Sequence, residues 1–91
     1  MTAMARLTVR PRLEIAVQDA AGATVAAEGG ADRVELCTAL GATGGLTPSS
    51  GTLTQVRAVG IGVHVLIRSR PGGFVYDDAE LDVLAADVAA A

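Results

Sequence analysis

Residues 33–37 read Arg33-Val34-Glu35-Leu36-Cys37, and the alternation in these five residues decides the fold. In an extended strand successive side chains point to opposite faces, so Val34 and Leu36 share one face while Arg33, Glu35 and Cys37 share the other. Residues 61–68 repeat the pattern, setting Val63, Val65 and Ile67 against His64, Leu66 and Arg68. Residues 13–17 repeat it a third time, with Leu13, Ile15 and Val17 opposed to Glu14 and Ala16. A parallel strand buried under helices on both faces reads as an unbroken apolar run, and none of these three does. Each has an aliphatic face suited to helices and a second face that carries ionisable groups. A doubly wound sheet needs apolar cover on both faces. Three successive strands with a polar inner face instead predict a barrel lumen leading to a site at the strands' C-terminal ends.

Helical signals fill the intervals between the strands. Asp19 is placed to cap a helix running to Glu28, with Gly29-Gly30 as its stop. Thr47-Pro48 reads as an N-cap followed by proline at the first helical position, opening a helix that reaches about Val59. Asp77 with Glu80 three residues on is a capping-box start, and Leu81, Leu84 and Val88 then fall on one face. The order β-α-β-α-β-α predicts parallel pairing through right-handed crossovers. The fold class is therefore α/β, the (β/α)8 TIM-barrel family, with only the first three βα units present. Residues 1–11 are expected to form an irregular leader and residues 12–91 a partial barrel domain.

Composition sets the outer limits. The chain has 91 residues, 51% of them hydrophobic and 19% charged, which is far from the composition of a disordered segment. No apolar run approaches the roughly 20 residues of a membrane helix, and no signal-peptide stretch is visible, so a cytoplasmic location is expected. One cysteine excludes an intrachain disulfide. Beyond position 12 there are four arginines against ten acidic residues, and the whole chain holds one Tyr, one Phe and no Trp. Such a surface has neither the cationic patch nor the stacking platform of a nucleic-acid binder. The aliphatic face leans on alanine, and three strands cannot close a barrel, so the outer strands expose unpaired edges. The chain reads as a truncated copy or a fragment, and as a homo-oligomer if folded.

The inner face gathers Glu14, Arg33, Glu35, Cys37, His64 and Arg68. Burying a charge costs several kcal/mol unless it is paired, so Glu14 is expected to meet Arg33 and Glu35 to meet Arg68. The set reads either as a structural ion network or as a site resting on one. In the second reading Glu14, Glu35 and His64 are the catalytic candidates for acid/base work. Arg33, Arg68 and Arg70 are the candidates for holding substrate, because a guanidinium can clamp a carboxylate or phosphate with two parallel bonds. Cys37 reads as a buried inert thiol or as a soft ligand for Cu(I), with no CxxC, MxxxM or HxxxH beside it. Residues 38–47 (TALGATGGLT) are long for a βα connection, and Gly41, Gly44 and Gly45 would permit positive φ, in a flexible turn or an anion-binding loop.

Four blocks carry a resemblance. Leu13-Glu14-Ile15, Gly29-Gly30-Ala31-Asp32-Arg33-Val34-Glu35-Leu36-Cys37, Gly44-Gly45-Leu46-Thr47-Pro48-Ser49 and Val63-His64-Val65-Leu66-Ile67-Arg68 resemble, in order and spacing, the N-terminal signatures of the CutC family. The resemblance implies a cytoplasmic barrel, often a homodimer, with copper homeostasis as the inherited role and Cys37 as the copper ligand. The lumen set looks more like an enzyme site for a small anionic or sugar-like molecule. Both implications stand as expectations: copper-ion binding in a truncated copy, or a fragment of a barrel enzyme working through Glu, His and Arg. Ser69 replaces the proline usual in this family's Ile-Arg-Pro-Arg motif, which bears on the placement of Arg70.

Overall fold

The computed structural model describes residues 10–91. Of the expected leader, residues 1–9 lie outside the described residues, and Arg10 and Pro11 enter the first strand directly. Three strands, β1 (Glu14–Val17), β2 (Arg33–Leu36) and β3 (Gly62–Val65), form one parallel sheet in the order β1-β2-β3. Four helices accompany them: α1 (Ala20–Glu28), α2 (Leu40–Thr43), α3 (Ser50–Arg57) and α4 (Asp78–Ala90). No helix among the described residues is long and apolar enough to cross a membrane.

Register fixes the two faces. Ile15 pairs with Val34 and Val34 with Val63, while Val17 pairs with Leu36 and Leu36 with Val65. These six side chains form the helix-bearing face. Glu14, Arg33 and Gly62 stand level on the opposite face, and Ala16, Glu35 and His64 stand level one layer further on. The core lies where the central strand is covered: Val34, Leu36, Ala23 and Val56 are fully buried, with Val17, Ala26 and Leu53 close behind. Helix α1 packs on β1, β2 and α3, and α3 packs on β3.

The helix starts follow local chemistry. Asp19 accepts a hydrogen bond from the Gly22 N–H, satisfying one of the free donors at the start of α1. The cap of α3 is Ser49, which accepts from the Thr52 N–H; Thr47, expected in that role, lies two residues too early. Thr47 is taken up by the neighbouring chain instead: its N–H donates to the Arg68 carbonyl and its Oγ1 accepts from the Arg68 N–H. The α4 capping box is complete, with Asp77 and Glu80 exchanging side-chain and backbone bonds. Its expected apolar face is not buried, however, because no fourth strand reaches it: Leu81 is 50% and Val88 62% exposed.

Residues 38–47 are ordered. Thr38 and Leu46 exchange two backbone hydrogen bonds, and α2 fills the space between them. Gly41 lies within α2 and needs no positive φ, whereas Gly45 does, at φ 112°. A Cβ on Gly45 would come within 2.8 Å of Leu66 Cδ2 and 3.5 Å of Cys37 Cβ, so only glycine fits under this strap. The Gly45 N–H donates to Thr43 Oγ1, so it is spent inside the loop.

Candidate active site

Two tiers of polar groups occupy the inner face. The lower tier, at the N-terminal ends of the strands, centres on Glu14. Its Oε1 accepts from Arg33 Nε at 3.1 Å and lies 2.9 Å from His64 Nδ1. Arg33 is on the next strand and His64 on the one beyond, so the Glu14–His64 contact passes over β2. Adjacent strands are about 4.8 Å apart, so side chains from β1 and β3 meet only where both lean inward over the middle strand, on the concave side of the sheet. Gly62, level with Glu14 and Arg33, presents no side chain there and leaves room for the imidazole to reach back. With Nδ1 committed to a carboxylate, Nε2 is the nitrogen left for a ligand. Glu35 stands directly across from His64 in the register and is half-buried.

The upper tier holds Cys37 and Arg68. Cys37 is buried, its Sγ 3.7 Å from the Val17 carbonyl and beneath Gly45. Burial pushes the thiol's pKa up, and the nearby Glu35 carboxylate adds to the shift. Arg68 does not meet Glu35, the partner expected for it. One terminal nitrogen donates to the carbonyls of Thr43 and Gly45, the other to that of Gly72, and the guanidinium carbon lies 5.1 Å from the centroid of the Phe74 ring. The loop carbonyls win because they converge on the end of β3, where Arg68 emerges. Its Nε is buried without a partner among the described residues. Arg70 is tied more tightly still, to the Glu80 carboxylate, to the carbonyls of Pro71, Gly73 and Val75, and to the Tyr76 ring. The hydrogen bond from Arg70 holds the Glu80 carboxyl below the usual range, helped by the Asp77 N–H.

The inner face therefore brings together Glu14, Arg33, Glu35 and His64, keeps Cys37 beneath the strap above them, and uses Arg68 and Arg70 to tie the loops at the mouth. Two further polar residues prove structural. Gln18 Oε1 accepts from the Leu40 N–H and seats α2, a role readable from its being two residues on from Ala16 on the same face. Asp32 accepts from Arg10 Nη2 at 2.5 Å and from the Leu13 N–H at 2.6 Å, and these bonds bring its carboxyl down to about 2. Its place at the entry to β2, beside a basic approach to β1, was the available signal.

Comparison with known proteins settles the ancestry. The model of the CutC family matches residues 11–91, nearly the whole described chain. The chain belongs to the CutC family. It is 49% identical over 79 residues to the CutC family protein of Agrobacterium fabrum and 51% identical over 79 residues to that of Sinorhizobium medicae. These matches cover 87% of this chain but 31% and 32% of those proteins, so the chain spans about a third of its CutC relatives. The crystal structure of CutC from Streptococcus agalactiae, named for a suggested role in copper homeostasis, superposes with a TM-score of 0.74 at 36% identity. That match covers 87% of this chain and 39% of the other, so the three parallel βα units are the N-terminal part of a CutC barrel.

Proposed function

We propose that this segment carries the proton-transfer half of a CutC-type lumen site acting on a small hydroxylated, sugar-like molecule. The observation that carries the reading is the 2.9 Å contact between Glu14 Oε1 and His64 Nδ1. It orients the imidazole from below and directs Nε2 to the ligand as general base, as a carboxylate does for a catalytic histidine elsewhere. Glu35, level with His64, is the partner acid, and Arg33 balances the charge of Glu14. The division agrees with barrel architecture, in which the N-terminal face supports and chemistry lies toward the C-terminal ends. Arg68 and Arg70, bound to loop carbonyls and Glu80, favour a neutral hydroxylated ligand over a strongly anionic one. His64 is the chain's only histidine, so its ring signals report the site without ambiguity. Titration with a neutral pentose should move them and a Glu35→Gln variant should abolish the response. An equal response in that variant, or a response to inorganic phosphate alone, would sink the reading.

Copper handling is the second reading, supported by the name carried by the Streptococcus agalactiae relative. Copper would be cargo here, with Cys37 its soft ligand. One buried thiol held in the protonated form is a poor site by itself, since Cu(I) favours several soft donors. Among the described residues no three His, Cys, Asp or Glu side chains gather as a metal group. Competition with a Cu(I) chelator should show weak binding that Cys37→Ser removes; tight binding by that variant would place the ligands elsewhere.

A further inference from the structure

We propose that the 91-residue chain associates head to tail with further copies of itself, the β3–α4 end of one copy seating on the β1–α1 end of the next. Both β1 and β3 are edge strands. Beside β1 runs a groove of about 590 Å³ lined by Leu13, Ile15, Val17, Val25 and Ala26. Beside β3 lies a second, of about 500 Å³, lined by Val63, Val65, Ile67 and Val88. Leu81, Ala85 and Val88 follow one another at helical spacing and make a single stripe on α4, and Val88 sets that stripe at the β3 side.

The two surfaces are complementary by the logic of the repeat. Helix α1 follows β1 and packs on both β1 and β2. Helix α4 follows β3 and has no next strand, and β1 has no helix before it among the described residues. A second copy's β1 supplies the strand that α4 lacks, and α4 supplies the helix that the β1 groove lacks. Charge agrees with this pairing. Helix α4 carries Asp78, Glu80, Asp82 and Asp87 with no basic residue, and its negative dipole end lies near the start of β3. In a neighbouring copy the start of β1 would lie alongside, entered through the exposed Arg10 and Arg12. The contact is heterologous, so each copy keeps one open end.

Sedimentation velocity from about 1 µM to about 1 mM, the span of weak specific affinities, should show the mean mass rising with concentration. Val25→Asp spoils one surface and Val88→Asp the other; the two residues are 70% and 62% exposed, so neither change enters the core. Each variant alone should remain monomeric. An equimolar mixture should form a one-to-one dimer, because each variant retains the surface the other has lost. Leu81→Asp replaces Val88→Asp if the latter loses the wild-type helical signal. A wild-type chain that stays monomeric across the range overturns the proposal. So does self-association that survives in either single variant, or binding only to a separate polypeptide carrying the remaining βα units of a relative.

Discussion

Strand β2 and helix α4 make opposite use of their sequences. Strand β2 has only four residues and no local stabilising device, yet Val34 and Leu36 are wholly buried between neighbouring strands and helices. Helix α4 has thirteen residues and a complete capping box, yet buries none of them. Local chemistry sets where an element starts, and burial sets how firmly it is held. The difference predicts a gradient of stability across the molecule, steep from β2 outward.

The largest effect should come from Leu36→Ala. Truncating a fully buried leucine costs about 2–5 kcal/mol, as much as a core of this size supplies, so the variant should lose its ordered circular-dichroism signal. The matching Leu81→Ala on the exposed side of α4 should change stability by less than about 0.5 kcal/mol. Equal losses would erase the contrast between the two regions. Gly45→Ala comes next. Its Cβ meets Leu66 at a φ that alanine resists, so the strap over Cys37 should open, at a cost of about 1–3 kcal/mol, and thiol reagents should reach Cys37 faster. Gly73→Ala, where a Cβ meets nothing within 4 Å, should leave that rate unchanged.

A smaller effect is expected from Asp77→Ala, which removes the cap of α4 at a cost of about 1 kcal/mol. The loss should appear as faster amide exchange in the first turn of α4 and nowhere in β2. The smallest concerns acid. The Asp32 carboxyl sits at about 2 against an ordinary 3.8, lowered chiefly by the hydrogen bond from Arg10. A depressed folded-state pKa gives stability that is present above the unfolded value and lost as pH falls through the folded one. The Arg10–Asp32 tie at the entry to β1 should therefore hold above about pH 4 and fail toward pH 2. Asp32→Asn should flatten that part of the acid profile; an unchanged profile would show that the tie contributes nothing.

The faces of the strands were legible because period-two alternation is independent of the rest of the fold. Val34 and Leu36 pointed one way and Glu35 the other before any partner was known, and the Glu14–Arg33 pair followed from their positions. The ends of elements were less legible. Residues 61–68 look like one strand, but pairing with β2 stops at Val65 because the strap and the Thr47 bonds take over the backbone beyond it. Arg68 was misassigned to Glu35 for a related reason: its partners are main-chain carbonyls of a loop, which leave no mark in the sequence. The burial of Leu81 and Val88 was overestimated because a helical stripe shows what could be covered, and coverage depends on the strand beside it.

The central structural claim is that Glu14 reaches over β2 to hold His64. Nitrogen-15 correlation spectra of the single histidine test it most directly, because the tautomer of the neutral ring follows from which nitrogen is bonded to the carboxylate. The Nδ1–H tautomer is expected in the native chain, with Nε2 the bare nitrogen, and Glu14→Gln should shift the population away from it. A neutral ring found as the Nε2–H tautomer, unaffected by Glu14→Gln, would contradict the contact and with it the proton-transfer reading.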